Sequence, residues 1–219
     1  MVKHTDGVGT TRVGISHSKF TRLEGRPLYI GRHKEHTDEG RPHKMAAITI
    51  RTLNDNDALD FQNLRLRALK EHPDAFGSTY ERESAYSLEF VAERLRLTAE
   101  SPNNFTLGAY RQEDLIGVVG FRRLTGEKEQ HRGHIWGMYV RSEDQGKGIG
   151  KNILTHALEL AKSLPGLGQV ELAVVTRNKQ ARELYASLGF VSCGTNPRAL
   201  FVGGEYLDEE HMVIFLKSV

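Results

Sequence analysis

The chain has 219 residues, a formal net charge of +2, 38% hydrophobic and 26% charged residues, a balance that fits a folded domain and excludes a low-complexity chain. It contains no run of 18 apolar residues, which excludes a simple helical membrane span, and its opening residues lack the apolar stretch of a secretory signal. With a single cysteine, Cys193, no intrachain disulfide can form; a soluble, cytoplasmic protein with Cys193 as a small core residue is expected.

Residues 1–45 are unlike the rest. Residues 1–44 hold nine Lys/Arg against five Asp/Glu, a charge of +4, while the remainder carries −2. No helical or strand period runs through them, so a basic, disordered tail is expected, with Met45 as an alternative start. His33, His36 and His43 have no cysteine or carboxylate partners in a ligand pattern, and no metal site is expected there. With only Phe20 and Tyr29 as aromatics, the tail gives thin support for a nucleic-acid partner.

From residue 46 onward the pattern becomes regular. AITIRTL (47–53) alternates as a strand does. Residues 57–73 place Leu59, Leu64, Leu66 and Leu69 near helical spacing and stop at Pro73. A second amphipathic helix is predicted over 87–101, capped by Ser87 and carrying Phe90, Val91, Leu95 and Leu97. Strands at 104–112 and 114–124 form a predicted hairpin turning at Glu113–Asp114, and a third strand covers 134–141. A helix (149–163), a strand (170–176), a helix (178–188) and two strands (190–202 and 205–217) complete the order, which indicates one mixed α/β domain over 46–219.

Between the third strand and its helix stands DQGKGIGKN (144–152), with three glycines in five residues. Glycine-rich strand-to-helix turns hold phosphates because free amides and the helix dipole point at an anion. A Walker A loop requires glycine five residues before Gly-Lys, and Arg141 and Gln145 stand there instead. The dinucleotide pattern G-x-G-x-x-G also fails, ending on Lys151 or Ile153.

What remains is Gln145-x-x-Gly148-x-Gly150, followed some thirty residues later by Asn178-x-x-Ala181-x-x-x-Tyr185-x-x-x-Gly189-Phe190. The two motifs, in this order, resemble the cofactor-binding motifs of the GNAT superfamily of acetyl-CoA-dependent N-acetyltransferases. Ala75-Phe76-Gly77-Ser78-Thr79 is similar to the family's early substrate-side segment. The resemblance spans roughly 46–219. It implies a mostly antiparallel twisted sheet of about seven strands with one splayed parallel pair, flanked by about four helices.

The resemblance also implies roles. The pyrophosphate of acetyl-CoA would sit on the turn formed by Gln145, Gly146, Lys147, Gly148, Ile149, Gly150 and Lys151, where Gly148 and Gly150 allow close approach and Gly146 only widens the turn. Met138, Tyr139 and Val140 would offer main-chain atoms to the pantetheine arm, and Asn178 would contact the cofactor as well as cap its helix. Tyr185 would be the general acid for the departing thiolate, since a phenol stays protonated near neutrality. For the base, Glu83 is favoured over Glu81 and His134. The implied activity is acetyl transfer to a primary amine by direct attack in a ternary complex. The alternative is a domain that binds acetyl-CoA without turnover. The acceptor stays open, and a homodimer is common for such folds.

Overall fold

The alternating run at the start of the orderly region pairs as β1 (Ile48–Thr52) along β2 (Asn104–Arg111), which opens a seven-stranded sheet. The computed structural model describes residues 47–216; the predicted tail and its histidines lie outside them. The remaining strands are β3 (Asp114–Arg123), β4 (Arg132–Val140), β5 (Gln169–Val175), β6 (Val191–Val202) and β7 (Glu205–Phe215), in the spatial order β1-β2-β3-β4-β5-β7-β6. Every neighbouring pair is antiparallel except β4 and β5. The helices are α1 (Ala58–Glu71), α2 (Tyr80–Ser84), α3 (Leu88–Glu100), α4 (Ile149–Lys162) and α5 (Lys179–Ser187). No described helix is long and apolar enough to cross a membrane.

Two cores follow from two apolar stripes. On α4, Ile149, Ile153, Leu154, Ala157, Leu158 and Ala161 recur every three or four residues and pack with Leu107, Val119, Ile135, Leu172 and Tyr185 on one face of the sheet. On the other face, Phe61, Leu64 and Ala68 of α1 and Val91 and Leu95 of α3 meet Tyr110, Leu115, Val118 and Tyr139. Complete burial of Ile153 or Leu154 contributes about 1.5–3 kcal/mol each.

The helices differ from the sequence reading in detail. Leu59, Phe90 and Leu97 point to solvent, because the buried stripes run through Phe61 and Leu64 and through Val91 and Leu95 instead. The short helix α2 went unpredicted: five residues are too few to show a period. The β2–β3 turn is centred one residue earlier than expected, at Gln112–Glu113, with Arg111 opposite Asp114 and Gln112 at φ 55°. Cys193 is not a core residue. It lies exposed on β6, an edge strand with a register shift between Ser192 and Gly194.

Two irregularities place the site. The β3–β4 register slips between Val118–Tyr139 and Gly120–Trp136, which leaves an extra residue on β4 at Gly137, a bulge with φ 62°. The parallel β4–β5 pairing then covers only Arg132–His134 against Gln169–Glu171. Beyond that point the strands part, and the ends of β4 and β5 form the walls of an opening.

Candidate active site

That opening is a cleft of about 590 Å³. One wall is Met138, Tyr139 and Val140 at the end of β4; Val175, Arg177 and Asn178 form the other. Its floor is the turn Gln145–Lys151 with the start of α4, and Ala181, Leu184 and Tyr185 of α5 close it. His72, Asp74, Ala75 and Phe76, between α1 and α2, complete the rim.

The turn is built for an anion. Gly146 and Gly148 take φ of 74° and 79°, and a Cβ at either would meet nothing within 4 Å. Thr79, Ser87 and Asn178 cap α2, α3 and α5 with side chains, whereas α4 starts after Gly148 with no side-chain cap and no acid in its first turn. Its first amides therefore face the cleft without a partner among the described residues, at the positive end of the helix dipole. Gly146 thus has a conformational requirement of its own, beyond widening the turn. Gly150 has a packing one: a Cβ there would come within 3.3 Å of Met138 Cε and 3.4 Å of Leu184 Cδ2.

Asp144 anchors the turn from beneath. Its buried carboxylate accepts from Arg111 Nη2 at 2.5 Å and Lys147 Nζ at 2.9 Å. Burial works against its charge, but the two cations prevail and hold the carboxyl below its usual range. Lys147 also donates to the Glu143 carbonyl at 2.7 Å, so its ammonium serves the turn and does not line the cleft. The Ile149 side chain is buried in the core beneath α4, leaving only its backbone at the helix start. Gln145 Nε2 donates to the Val140 carbonyl at 3.0 Å and fixes the strand exit. Lys151 lines the cleft and has no hydrogen-bond partner among the described residues.

Asn178 Oδ1 accepts from the Ala181 amide at 3.1 Å, capping the helix that presents Tyr185. Tyr185 packs edge-on against Phe190, with centroids 6.0 Å apart, and lines the cleft. Its hydroxyl has no hydrogen-bond partner among the described residues, and burial pushes its pKa up to about 12. The Tyr139 side chain turns away to the α1 face, where its hydroxyl donates to Glu71 Oε2 at 2.7 Å; the residue meets the cleft elsewhere.

Glu83 is not brought to the cleft. Arg65 donates to its two carboxylate oxygens at 3.0 and 2.8 Å in a buried fork between α1 and α2. Burial favours the neutral acid, but Arg65 holds the carboxyl below its usual range. Glu81 is exposed on α2. His134 is the last residue of β4 paired with β5, opposite Glu171, and burial with the nearby Arg122 lowers its pKa. Reading the sequence also missed His72, Asp74 and Arg177. His72 has a buried Nε2 without a partner among the described residues, and Arg177 ties Asp74 to Glu205 across the rim, at 3.1 and 3.0 Å. The only local signal for the first two was their place beside Pro73, at a helix end.

The described residues fit a pyrophosphate-bearing ligand: an open, positive-φ turn, free amides at a helix start, and Lys151 alongside. The sequence matches the acetyltransferase (GNAT) family over residues 66–190. Spermidine N(1)-acetyltransferase of Vibrio cholerae is 31% identical over 103 residues, 47% of this chain and 58% of that protein. The N-alpha-acetyltransferase RimI of Mycobacterium tuberculosis is 35% identical over 104 residues, 48% of this chain and 63% of that protein. The chain thus spans about three fifths of the length of these curated relatives. In fold it is similar to a GNAT acetyltransferase of Streptococcus pneumoniae (TM-score 0.71, 24% identity, 78% of this chain and 100% of that one). It is also similar to an acetyltransferase of Salmonella typhimurium solved with acetyl-CoA (TM-score 0.68, 19% identity, 78% of this chain and 95% of that one). With both motifs meeting in one cleft where β4 and β5 part, the chain belongs to the acetyltransferase (GNAT) family.

Proposed function

We propose that this protein transfers the acetyl group of acetyl-CoA to a primary amine by direct attack in a ternary complex. The observation that carries the reading is the joining, in one cleft, of an uncapped helix start beneath an open glycine turn with a buried tyrosine whose hydroxyl is unengaged.

Acetyl-CoA supplies the acyl group as an activated thioester. Gly146, Gly148 and the first amides of α4 bind its pyrophosphate, and Lys151 adds positive charge beside them. Main-chain atoms of Met138–Val140, left free where β4 leaves β5, bind the extended arm as an added strand would. Tyr185 donates its phenolic proton to the sulfur as the C–S bond breaks and the C–N bond forms. With its pKa pushed up to about 12, the phenol stays protonated through the working range. The attacking amine must first lose its own proton. Among the described residues of the cleft, His72, whose buried Nε2 has no hydrogen-bond partner among them, is the side chain placed to take it, in place of Glu83; Asp74 is held by Arg177.

A thiol-release assay with acetyl-CoA against a panel of amines tests the activity. Tyr185→Phe should lower kcat about 100-fold or more while shifting the acetyl-CoA Kd less than threefold; turnover equal to the parent from pH 6 to 9 would remove Tyr185 from the acid role.

A further inference from the structure

Glu71, the last residue of α1, stands immediately before His72 and is not itself among the residues that line the cleft. Its carboxylate nevertheless grips the end of β4. Oε2 accepts from the Tyr139 and Ser142 hydroxyls, both at 2.7 Å, and Oε1 accepts from Arg67 Nε at 2.6 Å. Arg67 in turn forks onto the Glu143 carboxylate through its two Nη atoms, at 2.9 and 2.6 Å. The last turn of α1 is thus fastened to Tyr139, Ser142 and Glu143, along the stretch that leaves β4 and leads to the glycine turn.

A lone exposed ion pair would hold little. Here the bonds form a network, and one of its donors is buried. Tyr139 is 5% exposed, and burial together with the bond to Glu71 pushes its phenol up to about 12, so it stays a donor throughout the working range.

His72 is held by the same contacts. Its amide donates to the Ala68 carbonyl at 2.9 Å, and Pro73 restricts the backbone on its other side. Its ring lies beside that of Tyr139, with centroids 6.0 Å apart and planes tilted by 55°. Tyr139 therefore meets Glu71 with its hydroxyl and His72 with its ring, and it forms part of the cleft wall. Displacing a reacting group by about 1 Å costs on the order of 100-fold in rate. A carboxylate that fixes His72 against the end of β4 can govern turnover without touching either substrate.

We propose that Glu71 is a positioning residue for acetyl transfer: by binding Tyr139 and Ser142 it sets His72 against the part of β4 that holds the thioester, so that its carboxylate speeds removal of the acceptor's proton. This rests on the reading above, in which His72 takes that proton. Glu71 acts through Tyr139 and His72, and acetyl-CoA binds without it, because the glycine turn and the start of α4 keep their own anchor in Asp144.

The test measures kcat of the full chain by thiol release at about pH 8.5 with two amines of similar size. Ethylamine is mostly protonated there, whereas difluoroethylamine, made less basic by its fluorines, is mostly neutral and has no proton to lose before attack. Glu71→Ala should lower kcat about tenfold or more with ethylamine and less than about threefold with difluoroethylamine, while the acetyl-CoA Kd from calorimetry stays within about threefold. His72→Ala should show the same selective loss, and Tyr139→Phe, which removes only the hydroxyl, a milder one. Glu71→Ala combined with Tyr139→Phe should be no slower than Glu71→Ala alone, since both break one link. Equal loss with the two amines overturns the inference, because damage to the fold or to the cofactor site slows both; no loss with ethylamine overturns it as well. Should Glu71→Ala not fold, Tyr139→Phe decides by the same ratio. A selective loss in His72→Ala beside an unaltered Glu71→Ala overturns the inference alone. No loss with ethylamine in His72→Ala overturns the reading of His72 and this inference with it, and bound acetyl-CoA without transfer to any amine overturns the acetyl-transfer reading and both.

Discussion

Three glycines within five residues do different physical work, and single substitutions separate it. Gly148 has φ 79° with open space where a Cβ would be. Gly148→Val should weaken acetyl-CoA binding at least tenfold by straining the turn and intruding on the ligand, with the circular dichroism spectrum unchanged. Unaltered affinity in a folded variant would separate the turn from the cofactor. Gly150 lies instead against Met138 and Leu184 at 3.3 and 3.4 Å. Gly150→Val should cost about 1–3 kcal/mol by overpacking, which lowers Tm by some 2–4 °C per kcal/mol for a domain of this size. Thermal melts of the two variants, measured beside cofactor titrations, distinguish loss of affinity from loss of stability. The sequence pattern treats both positions as phosphate glycines. Only the packing of Gly150 against Met138 and Leu184 separates them, since a tertiary neighbour leaves no trace in local spacing.

Elements meet at the end of β4 through a cluster that sequence reading did not find. Glu71, at the last position of α1, accepts from Tyr139 and Ser142, both at 2.7 Å, and from Arg67 at 2.6 Å. These bonds, led by that from Tyr139, lower its pKa to about 2. The folded state thus binds this proton less readily than the unfolded chain, whose carboxyl titrates near its ordinary value. The stabilisation is present above about pH 4.5 and is lost as pH falls from there towards 2. Glu71→Gln should flatten that part of the acid-stability curve while leaving neutral stability lower by no more than about 1 kcal/mol, because the cluster is partly exposed to solvent. An unchanged acid limb, followed by urea unfolding from pH 6 to 2.5, would refute this coupling of α1 to β4. The helices themselves were legible: the α4 stripe shows a full apolar period, and Ser87 and Asn178 cap where cap residues were expected. The exposed Leu59, Phe90 and Leu97 were not, because apolar residues near helical spacing fit several stripes and only the opposing sheet selects one.

At the scale of the molecule, both cores and the cleft are assembled from described residues between 47 and 216. Removing residues 1–44 should therefore leave kcat and the acetyl-CoA KM within about twofold, as read by the thiol-release assay. A loss of tenfold or more would give the tail a part in binding or turnover. The order of strands and helices, the two motifs and the family were all readable from the chain, because period, turn chemistry and motif spacing are local properties written into neighbouring residues. The splayed parallel pair was implied by the resemblance and is β4 with β5, but the bulge at Gly137, the insertion of β7 beside β5, and the ion pair that withdraws Glu83 to Arg65 were not readable. Each depends on which distant segments meet, as Arg65 and Glu83 do across 18 positions of sequence. A carboxylate among polar neighbours reads the same whether it faces a ligand or a buried guanidinium; only the tertiary structure, by fixing its partner and its desolvation, decided which.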